Sequence, residues 1–164
     1  TKITLGTHDV LLMHGDSLCT DDVAHQQFRE QTRSSEWQQA VLSKSIIERE
    51  ELARQLRMQS MQGNAEKPEA IMDVNQSAVE SMMRNHQVQL LIHGHTHRTA
   101  IHELELNGRP AHRIVLGDWY TKGNYLIHNK SGFRLMSFPD DTVLSTLADS
   151  TLPEDQLSEA AHPA

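Results

Sequence analysis

The stretch that decides the fold is Val88-Gln89-Leu90-Leu91-Ile92-His93-Gly94-His95-Thr96-His97-Arg98, residues 88–98. Its largely apolar first half predicts a buried strand, and three of the five residues from 93 to 97 are histidines carried at the end of that strand. Glycine at position 94 lets the backbone turn where a side chain would obstruct an ion or a phosphate. The stretch therefore predicts a metal site, with a polar surface loop in a chain of 11 histidines as the alternative.

The spacing of His95 and His97 leaves two geometries open. If the backbone stays extended, side chains two residues apart point to the same side. If the chain turns, the two imidazoles splay apart, and each can face a different metal ion.

A second strand ends in the same way as the first. Residues 10–13 are apolar and lead directly into His14-Gly15-Asp16. Because strand ends of one sheet converge in space, we expect His14 to lie near the histidines of residues 93–97. Asp16 follows His14 on a tight turn, which favours a role in orienting that histidine rather than in binding the metal itself.

The chemistry of three imidazoles is compatible with two kinds of centre. His14, His95 and His97 could form one zinc site with an open position. They could also be half of a site in which paired ions activate a water and hold a phosphoryl group. Such a two-metal site needs a bridging carboxylate, and the sequence does not provide an obvious one near the histidines.

The remaining pattern predicts a layered α/β domain with a mixed sheet. Runs at 2–5 and 10–13 predict a β-hairpin around the loop 6–9. Residues 21–61 predict helices with Thr20 or Asp21 as the cap. A further helix is expected from Pro68 to about His86, and its buried stripe would be Ile71, Val74, Ala78 and Met82.

Short strands are expected after residue 98. The dipeptide Asn107-Gly108 predicts a tight turn between strands at 100–106 and 111–116. A second hairpin is expected from 125–128 and 133–138. Residues 140–164 are acidic and contain two prolines, which predicts a disordered tail.

Composition limits the classes of partner. The formal net charge is −7, and six acids and no Lys or Arg follow Pro139, which leaves about −1 for residues 1–139. We expect no nucleic-acid partner, because there is no basic surplus to neutralise phosphates. The single cysteine, Cys19, excludes an internal disulfide and fits a reducing compartment. No apolar run approaches the length of a membrane span.

The order of these motifs resembles that of the calcineurin-like metallophosphoesterases, in which His-Gly-Asp is followed by a helical stretch and Gly-His-Thr-His. Residues 12–22 (LMHGDSLCTDD), 70–76 (AIMDVNQ) and 92–98 (IHGHTHR) are similar to strings of the lipid A pathway pyrophosphohydrolases within that superfamily. The resemblance extends over about residues 3–139. It implies the carboxy-terminal half of a layered αββα domain over 1–139, with a helical lipid-binding cap inserted at 23–66.

The resemblance also implies an activity. Two Mn(2+) ions would support hydrolysis of the pyrophosphate bond of UDP-2,3-diacylglucosamine, giving UMP and 2,3-diacylglucosamine 1-phosphate. The nucleophile would be a metal-activated water, with no catalytic side chain. The enzyme would be cytoplasmic and peripheral on the inner membrane, although Glu48, Glu50 and Glu51 weaken electrostatic attraction to anionic lipids.

Individual residues receive roles from the same resemblance. His14 and His95 would bind one metal ion and His97 the other. The substrate would be contacted by Asp22, Ser60, Asn64, Lys67 and His95. A phosphate is the natural partner of Lys67, whereas Ser60 and Asn64 alone are typical of a helix end and a turn.

The sequence departs from the family's pattern in its acidic motifs. It contains no Asp-x-His and no Gly-Asn-x-Asp, and Gly117-Asp118 follows Gly-His-Thr-His although the family's Gly-Asp precedes it. We therefore expect a fragment that lacks an amino-terminal half with the other ligands, and little activity from this chain alone. The alternatives are a related phosphoesterase with another substrate and a non-catalytic metal-binding module.

Overall fold

The computed structural model describes residues 1–65 and 67–152, and the chain divides into two compact units. The strand unit consists of residues 1–16 and the chain from residue 79 onward, and the helical unit consists of residues 17–78. The expected α/β composition with a mixed sheet is confirmed.

A five-stranded sheet organises the strand unit. Its strands are β1 (Lys2–Leu5), β2 (His8–Met13), β3 (Leu90–His93), β4 (Ala100–Leu106) and β5 (Arg109–Val115). The spatial order is β1-β2-β3-β5-β4. The three inner strands β2, β3 and β5 are parallel, whereas β1 and β4 pair antiparallel at the two edges. Leu90, Leu91 and Ile92 of the central strand β3 are all buried, as expected for a parallel strand inside a sheet.

A second sheet of three antiparallel strands completes the strand unit. Its strands are β6 (Gly123–Asn129), β7 (Gly132–Phe138) and β8 (Val143–Ala148), followed by a 3-10 turn over Asp149–Thr151. One hydrophobic cluster combines side chains from both sheets with Leu152, which follows the 3-10 turn; its other members are Val10, Leu90, Ile92, Ile114, Phe133 and Leu147. Burial of each such side chain stabilises the fold by about 1.5–3 kcal/mol.

Strand β8 corrects the prediction of a disordered acidic tail over 140–164. Val143–Ala148 pairs with β7, and the side chains of Leu147 and Leu152 are buried. The acidic residues of this segment suggest disorder, but its apolar residues form a strand that pairs with the edge of β7 opposite β6. Residues 153–164 lie outside the described residues.

The turns agree with the sequence in position but not always in length. The hairpin at Asn107-Gly108 is confirmed, with positive φ angles of 55° and 73° at its two turn residues. The hairpin between β6 and β7 is also confirmed. The first hairpin has a loop of only Gly6 and Thr7, shorter than predicted, because His8 pairs with Leu5 and extends β2.

The helix that precedes β3 begins later than predicted. A 3-10 turn covers Glu69–Met72, and helix α4 (Gln76–His86) starts after Asn75, whose Oδ1 accepts the Ala78 N–H at 3.0 Å. This start changes the buried face to Val79 and Met83. The predicted stripe of Ile71, Val74, Ala78 and Met82 is therefore wrong, and all four of its members are only half-buried.

The helical unit has three helices before the 3-10 turn of Glu69–Met72: α1 (Val23–Arg33), α2 (Ser35–Leu42) and α3 (Ile46–Ala65). The cap of α1 is Asp22, whose Oδ1 accepts the His25 N–H at 3.0 Å, rather than Thr20 or Asp21. Ser34 ends α1 and caps α2. Among the described residues, no helix combines the length and apolarity that crossing a membrane requires.

Candidate metal centre

The candidate centre lies where the three parallel strands of the large sheet end. Met13 of β2 pairs with His93 of β3, and His93 pairs with Val115 of β5, so the strands end in register. The loops that follow begin at His14, Gly94 and Leu116. The carboxyl ends of parallel strands are where α/β sheets commonly bind ligands.

The structure brings His14 and His95 together. His14 Nε2 lies 3.2 Å from His95 Nδ1, and the ring centroids are 4.9 Å apart at an interplanar angle of 69°. The backbone joins the same two loops, because the Gly94 N–H donates to the His14 carbonyl at 3.0 Å. Two imidazole nitrogens from separate strand ends thus face one point.

The backbone around His95 is turned rather than extended. Both His95 and His97 have positive φ angles, 67° and 56°. The Thr96 N–H donates to the Gly94 carbonyl at 2.8 Å and closes a three-residue turn with His95 at its centre. Of the two geometries left open by the sequence, the chain adopts the one that splays the histidines.

His97 faces the carboxylate of Asp118, which is not among the site residues that the sequence predicts. His97 Nδ1 lies 3.6 Å from Asp118 Oδ2, and both side chains are partly exposed, at 44% and 39%. The Tyr120 ring stands edge-on to His97, with centroids 6.5 Å apart. Asp118 follows β5 just as His14 follows β2, so the convergence of parallel strand ends could have identified it. Gly117-Asp118 matches the family's Gly-Asp pair but not its position in the motif order, so the resemblance does not predict Asp118 as a ligand.

Backbone hydrogen bonds hold the loop that carries Asp118. The Leu116 N–H donates to the His93 carbonyl at 2.8 Å, and the Gly117 N–H donates to Oδ1 of Asn124 at 2.9 Å. Asn124 is buried at the start of β6. Asp118 is therefore carried by a loop that both sheets anchor.

Asp16 is 7% exposed and begins a 3-10 turn over Asp16–Leu18. Burial of a carboxylate next to His14 suits an orienting group. Its role toward the imidazole stays a prediction.

The spacing of His14 and His95 fits a shared metal ion. Two nitrogens bound to one ion at about 2.1 Å, with an angle of about 90–109° between them, lie about 3.0–3.4 Å apart. The observed distance of 3.2 Å falls in that range. Within residues 1–65 and 67–152, however, no three His, Cys, Asp or Glu side chains converge closely enough to form a complete metal site. The pair supplies two donors of the set.

Two of the predicted substrate contacts form an ion pair in the helical unit. Lys67 Nζ lies 2.6 Å from Asp22 Oδ2, and the two side chains are 21% and 8% exposed. Burial raises the pKa of Asp22, but hydrogen bonds from Lys67 and from the His25 N–H outweigh that effect, so the pKa lies below its usual value. Asp22 therefore carries its charge at neutral pH and fixes the position of the Lys67 ammonium.

Two more of the five predicted substrate contacts, Ser60 and Asn64, lie on α3. Ser60 is exposed on that helix. Asn64 belongs to its last turn, and its side chain lies outside the described part of the structure. The substrate contacts of Ser60 and Asn64 therefore stay predictions.

Comparison with known proteins identifies curated homologues. A protein of Chromohalobacter salexigens named UDP-2,3-diacylglucosamine hydrolase is 58% identical over 116 residues, which cover 71% of this chain and 47% of the relative. Proteins of the same name from Escherichia fergusonii and Escherichia coli O7:K1 are each 48% identical over 130 residues, covering 79% of this chain and 54% of each relative. No family model matches the chain. The chain thus spans about half the length of the curated relatives it matches.

Proposed function

We propose that this chain, a homologue of curated UDP-2,3-diacylglucosamine hydrolases, contributes to a two-metal site that hydrolyses the pyrophosphate bond of UDP-2,3-diacylglucosamine. The products would be UMP and 2,3-diacylglucosamine 1-phosphate, a step of lipid A biosynthesis. The observation that carries the proposal is the 3.2 Å approach of His14 and His95 at the ends of neighbouring parallel strands. The names of the relatives supply the substrate.

The metal ligands of this chain would be divided between two ions. His14 and His95 would hold one Mn²⁺ through the nitrogens that already face each other, and His97 would bind the other. Imidazole together with carboxylate favours Mn²⁺ or Fe²⁺ over softer ions. Bound there, the ions would activate a water and neutralise charge on the pyrophosphate. Asp118, whose Oδ2 lies 3.6 Å from Nδ1 of His97, would orient that ring by its charge, as carboxylates do beside metal-binding histidines.

The helical unit would recognise the rest of the substrate. The Lys67 ammonium has three N–H donors, so its bond to Asp22 leaves capacity for a phosphate oxygen. Asp22, Ser60 and Asn64 would contact polar groups of the sugar or of the acyl linkages. Residues 23–66 would form the cap that binds the acyl chains, which is supported by large exposed apolar side chains at Leu42, Ile46, Ile47, Met58 and Met61.

The wider assignments follow from the same proposal. The strand unit would be part of a layered αββα metallophosphoesterase domain, in which two sheets pack against each other between helices. The enzyme would act in the cytoplasm at the surface of the inner membrane, where its lipid substrate resides. Apolar side chains rather than positive charge would attach it, because acids are interspersed along α3.

A chimera tests this function. Residues of this chain would replace the aligned 116-residue region of the Chromohalobacter salexigens relative, and release of UMP from UDP-2,3-diacylglucosamine would be measured with Mn²⁺. We expect hydrolysis, and we expect His95→Ala in the chimera to lower kcat/KM by about 100-fold or more, beyond the 10–100-fold typical of an outer-shell partner. The matched control is His86→Ala, at an exposed position of α4.

Two results would contradict the proposal. One is a folded chimera without hydrolysis, and the other is equal activity in the His95→Ala and His86→Ala chimeras. A panel of nucleotide sugars without acyl chains separates this substrate from those of related phosphoesterases.

A non-catalytic metal-binding module is the second candidate function. It is favoured by the absence of a third converging donor among the residues that the structure describes. A folded chimera that binds Mn²⁺ but does not hydrolyse the substrate supports this candidate.

A further inference from the structure

His93 is a buried residue that contacts the loops carrying His14 and His95. It ends β3 and is 1% exposed. Its Nδ1 lies 2.9 Å from the Gly94 carbonyl, and its Nε2 lies 3.2 Å from Nη1 of Arg113. Both ring nitrogens are therefore engaged, one by the loop of His95 and the other by a guanidinium of β5.

The arginine fixes the position of the proton on this ring. A guanidinium only donates hydrogen bonds, so Nε2 of His93 must accept. In the neutral imidazole the proton then resides on Nδ1, which donates to the Gly94 carbonyl. Arg113 is in place for this contact because it pairs with Leu91, two residues before His93 on the same face of β3.

The Gly94 carbonyl is the point that this network controls. It accepts the ring N–H of His93 and also the Thr96 N–H, at 2.9 Å and 2.8 Å. The second bond closes the turn that holds His95 at a φ of 67°, a backbone conformation that costs free energy for a residue with a side chain and that the surrounding structure must stabilise. The His93 ring thereby supports the turn that aims His95.

The same ring also supports the loop of His14. A Cβ built on Gly15 would lie 2.7 Å from Nδ1 of His93, so the backbone of that loop packs directly on the imidazole. Gly94 in turn donates its N–H to the His14 carbonyl. One buried imidazole therefore contacts both loops that carry the facing histidines.

We propose that Arg113 and His93 are positioning residues that set the spacing of His14 and His95 for a shared metal ion. Arg113 locks the tautomer of His93, and His93 holds the Gly94 carbonyl and the Gly15 backbone. The proposal rests on the proposed function for its metal, but the tautomer itself is a property of this chain without metal.

The test begins with the unmodified 164-residue chain. Two-bond ¹H–¹⁵N spectra of the ¹⁵N-labelled protein report the protonated nitrogen of each histidine. We expect His93 to carry its proton on Nδ1 without metal. A proton on Nε2 overturns the proposal whatever the variants do.

Variants of Arg113 then separate positioning from simple packing. Arg113→Met removes the donor while it keeps an apolar stem, and Arg113→Lys keeps a donor. We expect Arg113→Met to lose the single Nδ1–H tautomer and to weaken Mn²⁺ binding by about 10–100-fold in calorimetry. Arg113→Lys should retain the tautomer and most of the affinity. Arg109→Met, at an exposed position of the same strand, is the control and should match the wild type.

The outcomes distinguish this proposal from the proposed function. A folded Arg113→Met protein with an unchanged His93 tautomer overturns the positioning role. If Arg113→Met does not fold, the wild-type tautomer and Arg113→Lys decide. If neither the wild-type chain nor the chimera binds Mn²⁺, the metal site is contradicted, and the tautomer spectra still decide whether Arg113 locks His93.

Discussion

Gly15 is the residue at which the loop of His14 passes over the ring of His93. Its φ is 107°, and a Cβ would approach His93 Nδ1 to 2.7 Å and the Gly94 carbonyl to 3.2 Å. Both the conformation and the space exclude an ordinary side chain. The backbone conformation and the packing on His93 thus require a glycine in the His-Gly-Asp motif, independently of any ligand.

We predict that Gly15→Ala lowers the free energy of unfolding of the strand unit by about 2 kcal/mol, the cost of a residue held in a disfavoured backbone region. Hydrogen exchange of β3 amides measures that free energy. Gly63→Ala is the matched control: its Cβ would meet nothing within 4 Å, and it lies inside α3, so it should stabilise that helix by about 0.5–1 kcal/mol, measured by the exchange of α3 amides. Equal effects of the two substitutions would contradict this explanation.

His112 makes stability depend on pH. Burial lowers the pKa of His112 below 6.5, and the charge of Glu103 opposes this shift only in part. The unfolded chain therefore binds a proton more readily than the folded one as the pH falls below about 6.5, so stability is present above that value and decreases toward the folded pKa.

We expect the free energy of unfolding to decrease as the pH falls below about 6.5, measured by urea unfolding at a series of pH values. In His112→Gln, which does not titrate, the part of the slope due to this residue should disappear. A variant with the wild-type pH dependence would refute the assignment to His112.

Among the elements, those defined by local sequence were predictable. Asn107-Gly108 predicts its turn because both residues tolerate positive φ, and a continuous apolar run predicts β3. The approach of His14 to His95 followed from two strands ending in one sheet. Asp118 follows the same rule, but the sequence does not show directly that β5 lies beside β3. Strand β8 and the buried face of α4 depended on tertiary packing and on a cap at Asn75.

Strand β8 carries two leucines in opposite environments, so substituting each of them tests whether the strand belongs to the core. Leu147 is 6% exposed in the core cluster, whereas Leu144 is 50% exposed. We expect Leu147→Ala to destabilise the strand unit by about 2–5 kcal/mol, from lost burial and the cavity left behind. Leu144→Ala should change stability by less than about 0.5 kcal/mol. Urea unfolding of both variants measures the difference, and similar values would show that β8 is not part of the core.

At the scale of the whole molecule, the chain spans about half the length of its curated relatives and carries facing nitrogen donors from His14 and His95. A two-metal site needs more ligands than this, including a bridging carboxylate. The described residues contain no third donor that converges on the pair.

We therefore predict that the 164-residue chain alone hydrolyses UDP-2,3-diacylglucosamine at less than about 1% of the rate of the chimera, a deficit of about 3 kcal/mol in transition-state stabilisation. UMP release at equal protein and Mn²⁺ concentrations measures both. Equal rates would mean that this chain contains a complete site, which would refute the expectation.

The shared metal ion is tested most directly by adding substoichiometric Mn²⁺ to the ¹⁵N-labelled chain and following its histidine ring signals. A bound paramagnetic ion broadens nearby nuclei first. We predict that the ring signals of His14 and His95 broaden together at the lowest Mn²⁺ concentration, before those of His86 on the exposed side of α4. Simultaneous broadening of all histidines, or broadening of His86 before the facing pair, would contradict a metal site at the ends of β2 and β3.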